Sequence, residues 1–178
     1  MTKIVETPRL ILRPWQEGDV LPYYRMNQDP KVVEFLPSSI TIDQTKSFIK
    51  KMNQQLVERD YTLWAVELKD GGGLLGFVGL NDTDFEASFT PAVEIGWRLA
   101  SQYWGFGYAT EAARAILDYG KKLSLKEIVS FTVPQNKRSI RVMEKIGLNR
   151  DPLGDFYHPK LPREHDLSRH VLYRILFE

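Results

Sequence analysis

The clearest pattern of apolar and polar positions lies between Val93 and Leu123. A strand-like run, VEIGWRL, meets a glycine-bearing turn. Ala109, Ala112, Ala113, Ile116, Leu117 and Leu123 then recur as one apolar stripe. The pattern predicts a strand over 92–99 and a helix over 109–123. Glu111 in the first turn of that helix, and Lys121 and Lys122 in the last, match its dipole.

The same reading divides the remaining chain. Arg9 to Arg13 alternates as a strand between Pro8 and Pro14. A short helix is expected over 20–27, with Asp19 as its cap, and a further turn over 31–35 that ends before Pro37. Thr41 and Gln44 have capping-box spacing, and Phe48, Ile49, Met52 and Leu56 follow at helical intervals, which predicts a helix over 42–59. Tyr61 to Leu68 is aromatic and β-branched, so it reads as a strand. Lys69-Asp70-Gly71-Gly72-Gly73 reads as a hairpin turn into a second strand over 74–80. A loop over 81–91 leads back to the 92–99 strand. Glu127 to Val133 is another strand. Asn136 can cap a helix with Ile140, Met143 and Ile146 on its inner face and Gly147 as its stop. Two tail strands are expected at about 154–158 and 169–177, separated by a loop over 159–168. The order suits an α+β or α/β fold with a mixed sheet. The 93–133 crossover makes its two strands parallel if they share that sheet.

Composition narrows the function. A chain of 178 residues suits one domain, and no linker divides it. A net charge of +1 offers no global attraction to nucleic acid or to an anionic membrane. No apolar run is long enough to span a bilayer, and MTKIVETPRL lacks a signal-peptide apolar region, so a cytoplasmic location is expected. There is no cysteine, which removes disulfides, thiolate metal sites and a cysteine nucleophile. No His, Asp or Glu cluster has metal-ligand spacing, so no metal is expected.

Gly105 and Gly107 stand between a strand and a helix N-terminus. Unpaired N–H groups and a partial positive charge there can hold a phosphate, and glycine allows close approach. The alternative is a tight turn that binds nothing. Two familiar phosphate loops do not fit. A P-loop needs Lys and then Ser or Thr after its last glycine, whereas Tyr108 follows Gly107. A dinucleotide fingerprint needs glycine or alanine where Thr110 stands, and Glu127 opens its strand rather than closing it.

Gln102-Tyr103-Trp104-Gly105-Phe106-Gly107, placed after Glu94-Ile95-Gly96-Trp97 and before a helix, resembles the Gln/Arg-x-x-Gly-x-Gly/Ala signature of the GNAT-superfamily N-acetyltransferases. The run from Asn136 to Leu148 is similar to that family's next motif, especially in the branch of the Rim-type ribosomal-protein acetyltransferases. Thr7 to Arg13 looks like the same branch. Asp155 to Pro159, with Arg169 to Tyr173, resembles a common bacterial subgroup of it.

The resemblance implies a mostly antiparallel central sheet of about six or seven strands flanked by helices, with a splayed parallel pair. It implies acetyl-CoA as co-substrate and direct acetyl transfer to an amine in a ternary complex. The acceptor would be a protein N-terminus or a small molecule, and the protein a monomer or homodimer. The alternative is a non-catalytic acyl-CoA-binding module. Carried over, the backbone of Trp97 and Leu99 would pair with the pantetheine arm. The amides of Gln102, Tyr103, Trp104, Gly105, Phe106, Gly107, Tyr108 and Ala109 would hold the pyrophosphate. Asn136 would reach the pantetheine or thioester, or serve only as a cap. The helix after Asn136 lacks the tyrosine that many members use as proton donor, so Ser139 stands in that role, with Tyr157 and Tyr173 as alternatives. Glu94 is the first choice of base, ahead of His158 and His170. Segment 19–37 and loops 81–91 and 159–168 would recognise the acceptor, with Trp15, Phe35 and Trp64 on that side.

Overall fold

A computed structural model describes residues 4–178. Its centre is one mixed sheet of eight strands among the described residues. They are β1 (Val5–Glu6), β2 (Leu10–Arg13), β3 (Leu63–Leu68), β4 (Leu74–Thr83), β5 (Ala92–Leu99), β6 (Glu127–Thr132), β7 (Asn149–Tyr157) and β8 (Arg169–Leu176). The order across the sheet is β1-β2-β3-β4-β5-β6-β8-β7. Every neighbouring pair is antiparallel except β5 and β6. The helices are α1 (Val20–Met26), α2 (Ile42–Arg59), α3 (Tyr108–Lys122) and α4 (Lys137–Lys145).

Strands β3 and β4 are buried on both faces, which explains their nearly continuous apolar sequence. Alternate residues enter two cores. Trp64, Val66, Val78 and Leu80 pack with Ile95, Leu99, Ala112, Ala113, Ile116 and Met143 toward α3 and α4. Leu63, Ala65 and Phe77 pack with Tyr23, Met26, Ile49 and Met52 toward α1 and α2. Each fully buried aliphatic or aromatic side chain contributes about 1.5–3 kcal/mol.

The capping box forms as the spacing predicts. Thr41 N–H donates to Gln44 Oε1 at 2.8 Å, and Gln44 N–H donates to Thr41 Oγ1 at 3.2 Å. Asp19 behaves differently from expectation. It makes no side-chain cap for α1. Its carboxylate receives both terminal nitrogens of Arg13, at 2.8 and 2.9 Å, and Arg13 Nε donates to Glu67 at 2.8 Å. A charge-assisted pair in a mostly buried site outcompetes a local backbone contact.

The sheet also exceeds the six or seven strands expected. Strand β1 is only two residues long, too short to leave a periodic pattern. Strand β4 runs on to Thr83, and β7 begins at Asn149 rather than near 154. Strand β8 inserts between β6 and β7, a tail arrangement that sequence order does not reveal. Among the described residues no helix is long and apolar enough to cross a membrane.

Candidate active site

Strands β5 and β6 share a single register pair, Glu94 with Val129. Beyond it they diverge. On its other side β5 keeps a full antiparallel ladder to β4, from Thr83–Ala92 to Gly76–Leu99. At the fork Ser130 Oγ donates to the Ile95 carbonyl at 2.9 Å. That carbonyl therefore points toward β6, and strand alternation turns the backbone of Trp97 and Leu99 the same way. The Leu99 carbonyl already accepts the Trp104 indole N–H at 2.8 Å. The free edge available to an extended ligand is thus chiefly the backbone of Trp97 and the Leu99 N–H.

The fork opens into a cleft of about 840 Å³. One end lies at the glycine turn. Gly105 and Gly107 have φ of +83° and +80°, a conformation that side chains resist. Gly107 is the N-cap residue of α3, so the first amides of a 15-residue helix open onto this turn. A Cβ on Gly105 would meet no atom within 4 Å, and one on Gly107 would lie 3.6 Å from Arg9 Nη2. Arg9 is anchored to Glu111 at 2.6 Å and lies over the Tyr108 ring at 4.5 Å. An N-terminal cation therefore stands beside the turn. Positive-φ glycines, helix amides and this guanidinium fit a diphosphate.

Of the predicted cofactor residues, Trp97, Leu99, Trp104, Gly105, Gly107, Tyr108, Ala109 and Asn136 line the cleft. Gln102 and Phe106 are exposed and stand outside its lining. Phe106 stacks on Tyr108 at 5.7 Å. Asn136 is a helix cap, its Oδ1 accepting the Ser139 N–H at 3.2 Å. Its Nδ2 donates to Thr132 Oγ1 and Ser139 Oγ, both at 3.1 Å. The Ser139 hydroxyl accepts that bond and so keeps its own proton for the cleft.

Tyr157 and Tyr173 are not in this cleft. Tyr157 is exposed under the Arg163 guanidinium, 4.4 Å from its ring. Tyr173 is buried on another surface, with its hydroxyl 3.5 Å from Glu144. Trp15 and Trp64 are core residues, 3% and 0% exposed, so of the three aromatics expected on the acceptor side only Phe35 lines the cleft.

Glu94 is the only carboxylate among the lining residues. Burial pushes its pKa up to about 8, and one 3.4 Å bond from Thr83 Oγ1 offsets this only weakly. His158 and His170 also line the cleft, with ring centroids 5.3 Å apart. Burial lowers both pKa values, which favours the neutral imidazole at each position. Phe85, Phe89, Phe131 and Phe156 surround them. The far wall is segment 31–37 with Leu161 and Leu167. Arg138 on α4 holds that wall, bonding Glu34 at 2.8 Å and lying over Trp104 at 4.3 Å.

Sequence reasoning missed Ser130, Arg98 and Arg138. Nothing in a strand serine announces that it ties a fork, and Arg138 finds Glu34 across 104 residues. Among the described residues no group of three His, Asp or Glu side chains is placed to hold a metal.

The sequence model of the acetyltransferase (GNAT) domain matches residues 9–149. An uncharacterized N-acetyltransferase of Bacillus subtilis, YnaD, is 31% identical over 176 residues, covering 98% of this chain and 97% of its own. The crystal structure of a GNAT-family acetyltransferase from Bacillus anthracis superposes with a TM-score of 0.80 at 29% identity, covering 98% of both chains. The ribosomal-protein-S5-alanine acetyltransferase of Vibrio fischeri shares the fold at 20% identity, with a TM-score of 0.76 over 98% of this chain and 96% of its own. With the splayed strand pair and the glycine turn in place, the chain belongs to the GNAT family of acetyltransferases.

Proposed function

We propose that this protein transfers the acetyl group of acetyl-CoA directly to a primary amine, both bound together in the cleft between β5 and β6. The observation that carries this reading is the meeting of the glycine turn, the free β5 edge and a single, partly buried carboxylate in one cleft. Acetyl-CoA supplies an activated thioester carbonyl. The chain's residues supply position and proton transfer.

The amides of 102–109, with Arg9, hold the diphosphate. The Trp97 backbone and the Leu99 N–H pair with the extended arm, and Asn136 orders the start of α4 beside it. An amine must be neutral to attack, and a lysine-like amine has a pKa near 10.4. Glu94, ionising near pH 8, takes that proton directly or through a water. Ser139 gives a hydrogen bond to the departing thiolate. Its hydroxyl proton is free because Oγ is used as an acceptor by Asn136.

The test is thiol release from acetyl-CoA across a broad panel of amines, beside a thermal shift with CoA. A ligand at 100 times its Kd adds about 2.7 kcal/mol to stability. Stabilisation by CoA together with thiol release is expected. No shift with CoA removes the cofactor reading, and a shift without thiol release for any amine removes the transfer.

A further inference from the structure

The cleft holds a cation that has no carboxylate partner among the described residues. Arg98 lies on β5 four residues after Glu94, so the two share one face of the strand, with Gly96 between them. That face is the α1/α2 side, where the Arg98 guanidinium lies 5.5 Å from the centre of the Phe77 ring. Gly96 leaves the floor open. A Cβ there would find only Glu94 Oε1 at 3.9 Å and a Leu63 methyl at 4.0 Å.

The other arginines packed into the fold are neutralised. Arg13 has Asp19 and Glu67 at 2.8 Å, Arg150 has Asp155 at 2.6 Å, and Arg174 has Glu127 at 2.6 Å. Among the described residues no carboxylate lies within 4.0 Å of the Arg98 guanidinium. Its partners are neutral. Nη1 donates to Asn27 Oδ1 at 2.7 Å and approaches the Tyr23 hydroxyl at 3.5 Å. Asn27 is 0% exposed and fixed in turn by its Nδ2 bond to the Tyr23 carbonyl at 2.7 Å. Tyr23 is 1% exposed. The guanidinium is thus aimed by a rigid support that leaves its charge intact. A partly desolvated cation without an anion is costly, and a guanidinium fork suits a carboxylate or phosphate. Lys31 and Lys160 line the same acceptor side of the cleft.

We infer that the acetyl acceptor is a small amine that also carries an anionic group, a carboxylate or a phosphate, with the amine at Glu94 and the anion on the Arg98 guanidinium. The inference rests on the acetyl-transfer reading for its amine end. Arg98 sets specificity and takes no part in proton transfer. Four strand steps separate the two groups, roughly 13 Å between Cα atoms, and Gly96 leaves the floor between them open, with Glu94 Oε1 turned toward it.

The experiment uses matched acceptors. β-Alanine and longer ω-amino acids are compared with their amides, and phosphoethanolamine with ethanolamine, reading thiol release from acetyl-CoA. At least one anionic member should exceed its neutral partner in kcat/KM by roughly 10- to 100-fold, the worth of one charge-assisted contact. Comparing the amino-acid pairs with the phosphoethanolamine pair separates carboxylate from phosphate as the preferred anion. Arg98→Gln should abolish the preference mainly through KM, and Arg98→Lys should restore part of it, whereas a purely structural role would lower all acceptors alike. Equal turnover of neutral and anionic partners by the unaltered protein overturns the anion site and leaves acetyl transfer standing. If no amine releases thiol, transfer fails, and the same pairs are then compared by thermal shift on CoA-saturated protein. Stabilisation by anionic members, lost in Arg98→Gln, would uphold the anion site, and indifference to charge would reject it.

Discussion

The two ends of the cleft are built from different material. At the turn end the groups on offer are main-chain amides, set by two glycines and the start of α3 within a few residues of sequence. At the end proposed for the acceptor the groups are side chains, with Glu94 and Arg98 on β5, Asn27 and Tyr23 behind Arg98, and His158 and His170 from the tail. A backbone site tolerates varied side chains and binds a constant ligand. A side-chain site changes its preference with one substitution. On the proposed function, the first end holds the acetyl donor and the second selects the acceptor.

The sharpest break of the comparison is Glu94→Gln. Turnover should fall by about 10²- to 10⁴-fold, the range for a lost general base, with the CoA-induced thermal shift retained. In the unaltered protein kcat/KM should rise with pH toward a plateau above about 8, and the variant should lose that limb. Full turnover in Glu94→Gln would assign the base elsewhere, with the His158–His170 pair next in line.

Gly107→Val probes the opposite end. A β-branched residue at φ +80° costs of order 1–2 kcal/mol, so CoA binding should weaken about tenfold or more while the Arg98 site is untouched. Unchanged affinity, read by titration against thermal shift, would show that the turn does not hold the diphosphate. Ser139→Ala should lower kcat about tenfold with little change in acetyl-CoA affinity, since Ala removes one hydrogen bond to the leaving group. An unaltered kcat removes Ser139 from the reaction.

The last test reads stability instead of turnover. Glu94 has a folded pKa raised from 4.5 to about 8, so its favourable contribution is complete below about 4.5 and disappears as pH rises through about 8. Relative to Glu94→Gln, the unaltered protein should therefore lose stability across that window, by a few kcal/mol at roughly 1.4 kcal/mol per pKa unit. Parallel melting curves for the two proteins across the window would mean that burial does not restrain this carboxyl.

Local signals carried far. The Thr41–Gln44 box, the α3 stripe and Asn136 with Gly147 set three helices to within about a residue of their ends, because capping and periodicity are short-range. The same locality made the glycine turn readable. Asp19 shows the limit, since its nearest chemistry suggested a cap while Arg13 and Glu67 claimed it in space. Trp15 and Trp64 show another, because an aromatic side chain looks the same in sequence whether it faces a core or a cleft.

By itself the sequence determined the helices, most strands and the glycine turn between a strand and a helix, all consequences of neighbours a few residues apart. Only the tertiary structure decided that β5 and β6 part after one register pair, that β8 enters between β6 and β7, and that Tyr157 and Tyr173 lie away from the cleft. It alone set Asn27 and Tyr23 behind Arg98, more than seventy residues away along the chain. The charge of that guanidinium is written in one residue. Whether it is neutralised depends on which carboxylates the fold brings near, and among the described residues none lies within 4.0 Å.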